Sequence, residues 1–212
     1  MTALIRPAQP DDQPVIGDIA YATGYFGESA ARYFPARRLF RALWAGPYFH
    51  GAGFAGFVAE VDSQIVGYVL GAPDWDIYRQ GVWRAVPEIV ASCPAPSVLL
   101  RCLPYLWRAA LWHAPQADVR LYPAHLHLNL LPEARGHHLG ERLLWAHLTT
   151  LAGAGVSGVQ LSTTTENAAA LGLYRKLGFE TIHQVETPLW RPWLGRQTTQ
   201  VVMGKRLSPQ GG

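Results

Sequence analysis

Cysteine is scarce in this chain: Cys93 and Cys102 are the only two among 212 residues, and they do not form a C-x-x-C pair. That excludes a disulfide scaffold and a thiolate zinc site, and predicts two reduced thiols in the core. Charge is sparse too. Charged residues make up 16% of the chain, the formal net charge is +3, and no Lys/Arg-rich run occurs. Such a balance lacks the basic stripe of a nucleic-acid binder and suits a small anionic ligand better. Long apolar runs are also missing, because the most apolar segment, Val98 to Trp112, is broken by Arg101, Pro104 and Arg108, so no membrane span is expected. The opening MTALIRPAQPDDQP lacks the basic and then apolar pattern of a signal peptide. No internal repeat or low-complexity tract is present. A soluble cytoplasmic protein is expected, as a monomer or homodimer. Hydrophobic residues, by contrast, reach 49%, enough for the core of a single domain spanning residues 1–212.

The most informative stretch runs from His125 to Leu151. Leu126, Leu128 and Leu130 alternate with His125, His127 and Asn129, which is the period of a strand. Pro132 ends that ladder, Gly136 and Gly140 bracket a short turn, and Leu139, Leu143, Leu144, Leu148 and Leu151 then fall at helical spacing. A strand therefore feeds a helix N-terminus through a glycine turn. There the first N–H groups lack internal partners and lie at the positive end of the helix dipole, a setting for phosphate. Glycine's tolerance of positive φ also explains such turns with no ligand at all.

Within this stretch, PEARGHHLG resembles the R/Q-x-x-G-x-G/A turn of the GNAT family of N-acetyltransferases, with Arg135 first and Gly140 last. Leu128, Leu130 and Pro132 match the family's L-x-V/L-x-P run. His138 departs from the pattern, standing where a glycine is usual, so its φ/ψ must be open to a side chain or the loop slightly re-formed. Downstream, NAAALGLYRKLGF (Asn167 to Phe179) resembles the family's N-x-x-A-x-x-x-Y-x-k-x-G-F segment. Its own spacing agrees with a helix: Ala170, Leu173, Tyr174 and Leu177 share a face, Asn167 suits the start and Gly178 the C′ position.

The resemblance implies an α/β GNAT fold: a mixed, mostly antiparallel sheet of six or seven strands, helices on both faces, and a central strand pair that splays to admit the acetyl thioester. It implies acetyl-CoA (coenzyme A) as cosubstrate, with its pyrophosphate on Arg135, Gly136, His137, His138, Leu139 and Gly140. A backbone N–H at Leu128 would polarise the thioester carbonyl. Leu130 would pair with pantetheine, Asn167 would contact the pantetheine arm, and Tyr174 would hold the general-acid position. The implied activity is transfer of an acetyl group to a small-molecule or peptide amine by direct attack in a ternary complex. A non-catalytic acetyl-CoA-binding module is the alternative. Tyr122 to Gly136, the GYVLG-x-P-D end at Gly67 to Asp74 and the long connection after it also look like the acetyltransferase-like domain attached to O-GlcNAcases and its stand-alone bacterial relatives.

For the base that deprotonates the incoming ammonium, the residues leave His127, His125, Asp74 and Asp76 open. H-x-H at 125 and 127, with His137 and His138 nearby, is a ligand spacing, but no third ligand is specified and no metal is expected. Elsewhere, Leu4–Ile5 predicts a strand, and Asp11 or Asp12 a helix cap. A second helix carries Leu39, Phe40, Leu43 and Trp44, entered at Pro35 and ended at Gly46, with Arg37, Arg38 and Arg41 on its solvated face. Phe54 to Glu60 and Ile65 to Leu70 predict a hairpin, with Gly67 marking a bulge or a close backbone approach. The connection from Ala72 to Tyr122 is too long for a loop and predicts a helical insertion at about residues 74–121. Ser97 would cap a helix there and Pro104 would kink or break it. Its tryptophans suit either a lid or an acceptor-binding wall. Strands at Gly158–Thr163, Thr181–Glu186 and Thr198–Met203, and a frayed tail at 208–212, complete the expectation.

Overall fold

The computed structural model describes residues 3–51 and 56–208. The chain opens with β1 (Ala3–Pro7) and α1 (Gln13–Thr23), followed by α2 (Arg37–Trp44) and α3 (Gly46–His50). A hairpin of β2 (Gly56–Val61) and β3 (Gln64–Ala72) precedes α4 (Trp75–Ala91) and α5 (Pro96–Leu111). Then come β4 (Ala124–Leu130), α6 (Leu139–Gly153), β5 (Gly158–Thr164) and α7 (Ala168–Lys176). The chain closes with β6 (Glu180–Thr187), α8 (Arg191–Leu194) and β7 (Thr198–Arg206).

The seven strands form one sheet in the order β1-β2-β3-β4-β5-β7-β6. Every neighbouring pair is antiparallel except β4 and β5. That parallel pair is held at only two positions, Ala124 opposite Val159 and His125 opposite Gln160. From Leu126 on, β4 keeps β3 at its side but has left β5. The α/β fold and the splayed central pair agree with the expectation.

Alternation on β4 sorts its side chains between two cores. Leu126, Leu128 and Leu130 join the cluster under α6 and α7, with Leu143, Leu144, Leu171 and Val159. His125 and Asn129 face the other layer, built from α1–α3 and α5 around Phe34, Phe40, Tyr48 and Tyr105. Phe40 and Trp44 stack at 4.1 Å, and Tyr33, Trp190 and Trp193 extend the aromatic packing toward α8.

Several local expectations change. Asp12 stands at the N-cap position of α1 but makes no side-chain cap bond to it; its carboxylate takes the Gln9 N–H at 2.8 Å, closing the turn before the helix, and the Arg6 guanidinium at 2.7 Å. Gly46 does not end a helix but begins α3. Cys102 is buried as expected, whereas Cys93 is exposed. The hairpin turns on Asp62 and Ser63, both at positive φ (47° and 64°), the geometry of a two-residue turn between right-twisted strands. A register shift beside Ala59 places the bulge at Val66, next to Gly67, where an added Cβ would lie 2.2 Å from Leu130 Cδ2. Phe54 and Ala55 of the predicted strand lie outside the described residues, as does the tail from Pro209.

The 74–121 insertion is helical, as two elements. Asp74 caps α4 by accepting the Ile77 N–H at 2.8 Å. Pro96, not Ser97, opens α5, which runs through Pro104 without a break. Among the described residues no helix is long and apolar enough to cross a membrane.

Candidate active site

Where β4 and β5 part, a cleft of about 350 Å³ opens over the C-terminal end of β4. It is lined by Leu128 and Leu130 from β4, Arg135, Gly136, His138, Leu139 and Gly140 from the following turn, and Asn167 and Tyr174 from α7. Residues far apart in sequence but matched to one ligand thus share one wall. His137, from the same turn, is exposed and is not part of the lining.

Gly136 has φ +79° and open space where a Cβ would stand, so its glycine is required by the backbone and not by packing. His138 answers the question its sequence raised: it adopts the left-handed region itself, at φ 55° and ψ 13°. Histidine is among the side chains that tolerate this region, at a cost on the order of 1 kcal/mol. Its Nδ1 lies 3.0 Å from Glu141 Oε1, which also accepts from Lys176 Nζ at 2.6 Å. The Lys176 contact, aided by His138, holds the Glu141 carboxyl below its usual range. Gly140 is needed for another reason: a Cβ there would meet Leu173 Cδ2 at 3.0 Å and Leu130 Cδ1 at 3.2 Å.

Two α-helices carry side-chain caps among the described residues. Asp74 caps α4, and Asn167 caps α7 by accepting the Ala170 N–H at 3.2 Å. No side chain caps α6 among the described residues. Its first-turn N–H groups, which have no intrahelical acceptors, open at the cleft. Arg135 braces this entrance by donating to Gly27 O at 2.8 Å and to Leu130 O at 3.3 Å, which ties the loop after α1 to the end of β4.

Tyr174 is 5% exposed, packs against Phe179 and lines the cleft. Burial raises its phenol well above the ordinary value, so the proton stays on the oxygen.

On the opposite face of β4, His125 lies within a ring cluster. It stacks on Trp75 at 4.5 Å, meets Tyr78 edge-on at 4.6 Å, and has its Nε2 3.0 Å from the Tyr48 hydroxyl. Desolvation, with His127 and His147 nearby, pushes His125 down to about 3. His127 differs in access. The residue is exposed and its ring lies 5.8 Å from that of Tyr48, while desolvation by the surrounding chain brings it down to about 4. Both rings are neutral near pH 7. Of the carboxylate candidates, Asp74 caps α4 and Asp76 pairs with Arg79 at 2.5 Å; none of the four base candidates, His125 and His127 included, lines the cleft. No group of three or more His, Cys, Asp or Glu side chains suited to a metal is found among the described residues.

The sequence reading passed over a polar chain beside this site. Tyr68 donates to Asn129 Oδ1 at 3.0 Å, Asn129 Nδ2 donates to Thr23 Oγ1 at 2.7 Å, and Thr23 donates to Ile19 O at 2.7 Å. Thr23 and Asn129 line the cleft together with Phe26 and Gly27. A signal for Asn129 existed, as the third polar residue on the His125–His127 face. None marked the loop after α1.

Comparison with known proteins gives a consistent placement. The model described as the acetyltransferase (GNAT) family matches residues 109–179. The crystal structure of SsHAT is similar over 97% of this chain and 98% of its own, with 30% identity and a TM-score of 0.73. Two other structures share the fold at lower identity. The ribosomal-protein-S18-alanine N-acetyltransferase from Escherichia coli has 15% identity and a TM-score of 0.59, with 99% of this chain and 97% of that one covered. A GNAT superfamily phosphinothricin acetyltransferase from Sinorhizobium meliloti, solved in complex with acetyl-CoA, has 17% identity and a TM-score of 0.58, with 98% and 90% covered. With near-complete coverage at 30% identity, and with the family model spanning the cleft's own elements, the chain belongs to the acetyltransferase (GNAT) family.

Proposed function

We propose that this protein is an acetyl-CoA-dependent N-acetyltransferase that moves the acetyl group to an amine by direct attack in a ternary complex. The observation that carries the reading is the uncapped N-terminus of α6 facing the gap where β4 leaves β5. Two sets of backbone groups without helix or strand partners meet there, and buried backbone groups need partners. The α6 amides suit a pyrophosphate. The free edge of β4 suits an extended, amide-bearing arm such as pantetheine, with Leu130 pairing to it and the Leu128 N–H at the thioester carbonyl. Such a preorganised donor is worth about 3 kcal/mol in the transition state. Asn167 uses its Oδ1 as the α7 cap, which leaves its Nδ2 for the arm.

In the reaction the amine nitrogen bonds to the acetyl carbon and the C–S bond breaks. The departing thiolate takes the proton that burial keeps on Tyr174, and the phenolate is refilled from solvent. His127 is the base of this proposal: its imidazole is neutral and the residue is exposed, whereas His125 is buried against Tyr48 and Asp74 is engaged with the Ile77 N–H. It relays the protons that the amine sheds before and during attack, directly or through water, to solvent. The closer likeness to the domain attached to O-GlcNAcases stays part of this proposal, with a small-molecule or peptide amine as acceptor. The test is calorimetric titration with acetyl-CoA, followed by thiol release over an amine panel. Binding with release is expected. Binding without release for every amine would leave the non-catalytic module, and no binding would remove the reading.

A further inference from the structure

The cleft runs through the sheet. On one face its walls are α6 and α7; on the other they are Thr23, Phe26 and Gly27 from the end of α1 and the loop after it, with Asn129 bonded to Thr23. The cofactor of the proposed reaction takes the first face, through the α6 amides and the edge of β4. An amine that attacks the acetyl carbon directly then comes from the second, because the thiol arm fills the first.

That second face is neutral. Thr23 and Asn129 bond each other, Thr23 donates to Ile19 O, and Tyr68 donates to Asn129. Among the described residues the one carboxylate in the lining is Glu141 on α6, already engaged by Lys176 at 2.6 Å and His138 at 3.0 Å. Glu28, in the same loop as Phe26, is outside the lining and lies 3.8 Å from Arg32. The charge that touches this loop is a cation, Arg135, on Gly27 O at 2.8 Å.

Phe26 occupies an unusual place in it. Tyr25 and Glu28 exchange backbone bonds at 2.8 Å in both directions, so Phe26 and Gly27 are the central residues of a tight turn, at φ 53° and 95°. Glycine and asparagine suit such positions, whereas a bulky side chain adopts them only under constraint. Here the constraint comes from Arg135 on Gly27 O and from the Phe26 ring itself, which packs on Tyr25 at 4.7 Å and edge-on to the buried Trp190 at 5.0 Å. Phe26 is nevertheless only half-buried, and it lines the cleft. Backbone strain of this kind persists where the side chain it presents is used.

We propose that the acceptor is a monoamine carried on a flat apolar body, held against the Phe26 ring on the α1 side of the cleft; this rests on the acetyltransferase reading above. An aromatic ring takes a flat apolar partner, and an ammonium over its face, without the carboxylate that would raise the amine's pKa and hold its proton. Polyamines and lysine-rich peptides are disfavoured, since their further charges would meet Arg135 and no free carboxylate in the lining.

Calorimetry on the protein, alone and loaded with coenzyme A, measures acceptor binding without turnover; the probes are phenethylamine, its non-planar analogue cyclohexylethylamine, and spermidine. Phenethylamine should bind at least about fivefold more tightly than either of the others, the advantage expected of one aromatic pair. With acetyl-CoA, kcat/KM should follow the same order. Phe26→Leu should abolish the preference while acetyl-CoA affinity stays within about twofold, and Phe26→Tyr should keep it. No binding of phenethylamine, spermidine bound as tightly, or a preference that survives Phe26→Leu would each overturn the proposal. So would a loss of acetyl-CoA affinity in Phe26→Leu, which would put the ring on the pantetheine arm. Thiol release absent with every amine while the binding order holds would count against the acetyltransferase reading alone, and release that favours spermidine against this inference alone.

Discussion

Lowering the pH from 7 to 5 should cost the fold about 4 kcal/mol through two buried imidazoles, on the order of 2 kcal/mol each. His125 and His147 are 6% and 1% exposed, and burial is the main cause that brings them to about 3 and about 4. In an unfolded chain a histidine titrates near 6.5. The folded values are depressed for groups that gain charge on protonation, so between about pH 4 and 6.5 the unfolded chain binds protons that the folded chain refuses. Stability is then complete above about pH 6.5 and falls as the pH drops toward 4. Each pH unit in that window is worth about 1.4 kcal/mol per group, and pH 5 lies about 1.5 units below the unfolded value. His127 shifts the same way, but its exposed ring adds little after screening. The carboxylates act in a separate window: Arg6 lowers Asp12 and Arg196 lowers Glu166, so their contributions are lost only below about pH 4. Urea unfolding at pH 7, 6 and 5 reads the effect as a slope of about 2.7 kcal/mol per pH unit between pH 5 and 6. In His147→Gln the slope should fall by about half. A stability that stays flat from pH 7 to pH 5 would refute the claim that these rings are held neutral by burial.

Gly140→Asp should weaken acetyl-CoA binding by at least about 2 kcal/mol, because its Cβ presses on Leu173 and Leu130 and its carboxylate repels the pyrophosphate. Calorimetry checks this, with Gly140→Ala isolating the steric part; equal affinity for the Asp variant would count against the phosphate turn. Tyr174→Phe keeps the ring against Phe179 and removes the proton. If Tyr174 is the acid, kcat falls at least about tenfold with acetyl-CoA affinity within about threefold. Unchanged turnover would remove Tyr174 from the mechanism.

The sequence was most legible where local chemistry and tertiary packing ask for the same thing. The Leu126–Leu128–Leu130 alternation and the Asn167 cap each have one physical reading, the glycines mark the turn under either reading of it, and each element formed near its expected place. Legibility failed where a residue had two partners to choose from. Asp12 looked like a cap because it precedes a helix, but Arg6 on β1 and the Gln9 N–H claim its carboxylate. Pro104 looked like a break, but the core contacts of Cys102 and Tyr105 on either side keep α5 continuous. The lining contributed by Thr23, Phe26 and Gly27 had no signal, because these residues reach the cleft only through the Arg135 brace and the Asn129 bond, over separations of about a hundred residues.

The departure at His138 shows why one substitution in a glycine turn need not close it. A glycine is required where φ is positive and also where a side chain would collide, and the two demands fall on different residues here. Gly136 meets the first, and Gly140 the second, by leaving α6 close to Leu173 and Leu130. His138 must also take positive φ, but its side chain turns to Glu141 at the rim of the cleft, and the residue stays exposed. The strain of that conformation is local, whereas a side chain at Gly140 would enter the space between helix and strand. Substitutions at 138 that accept the left-handed region, such as asparagine or glycine, therefore preserve the turn, while those at 140 do not.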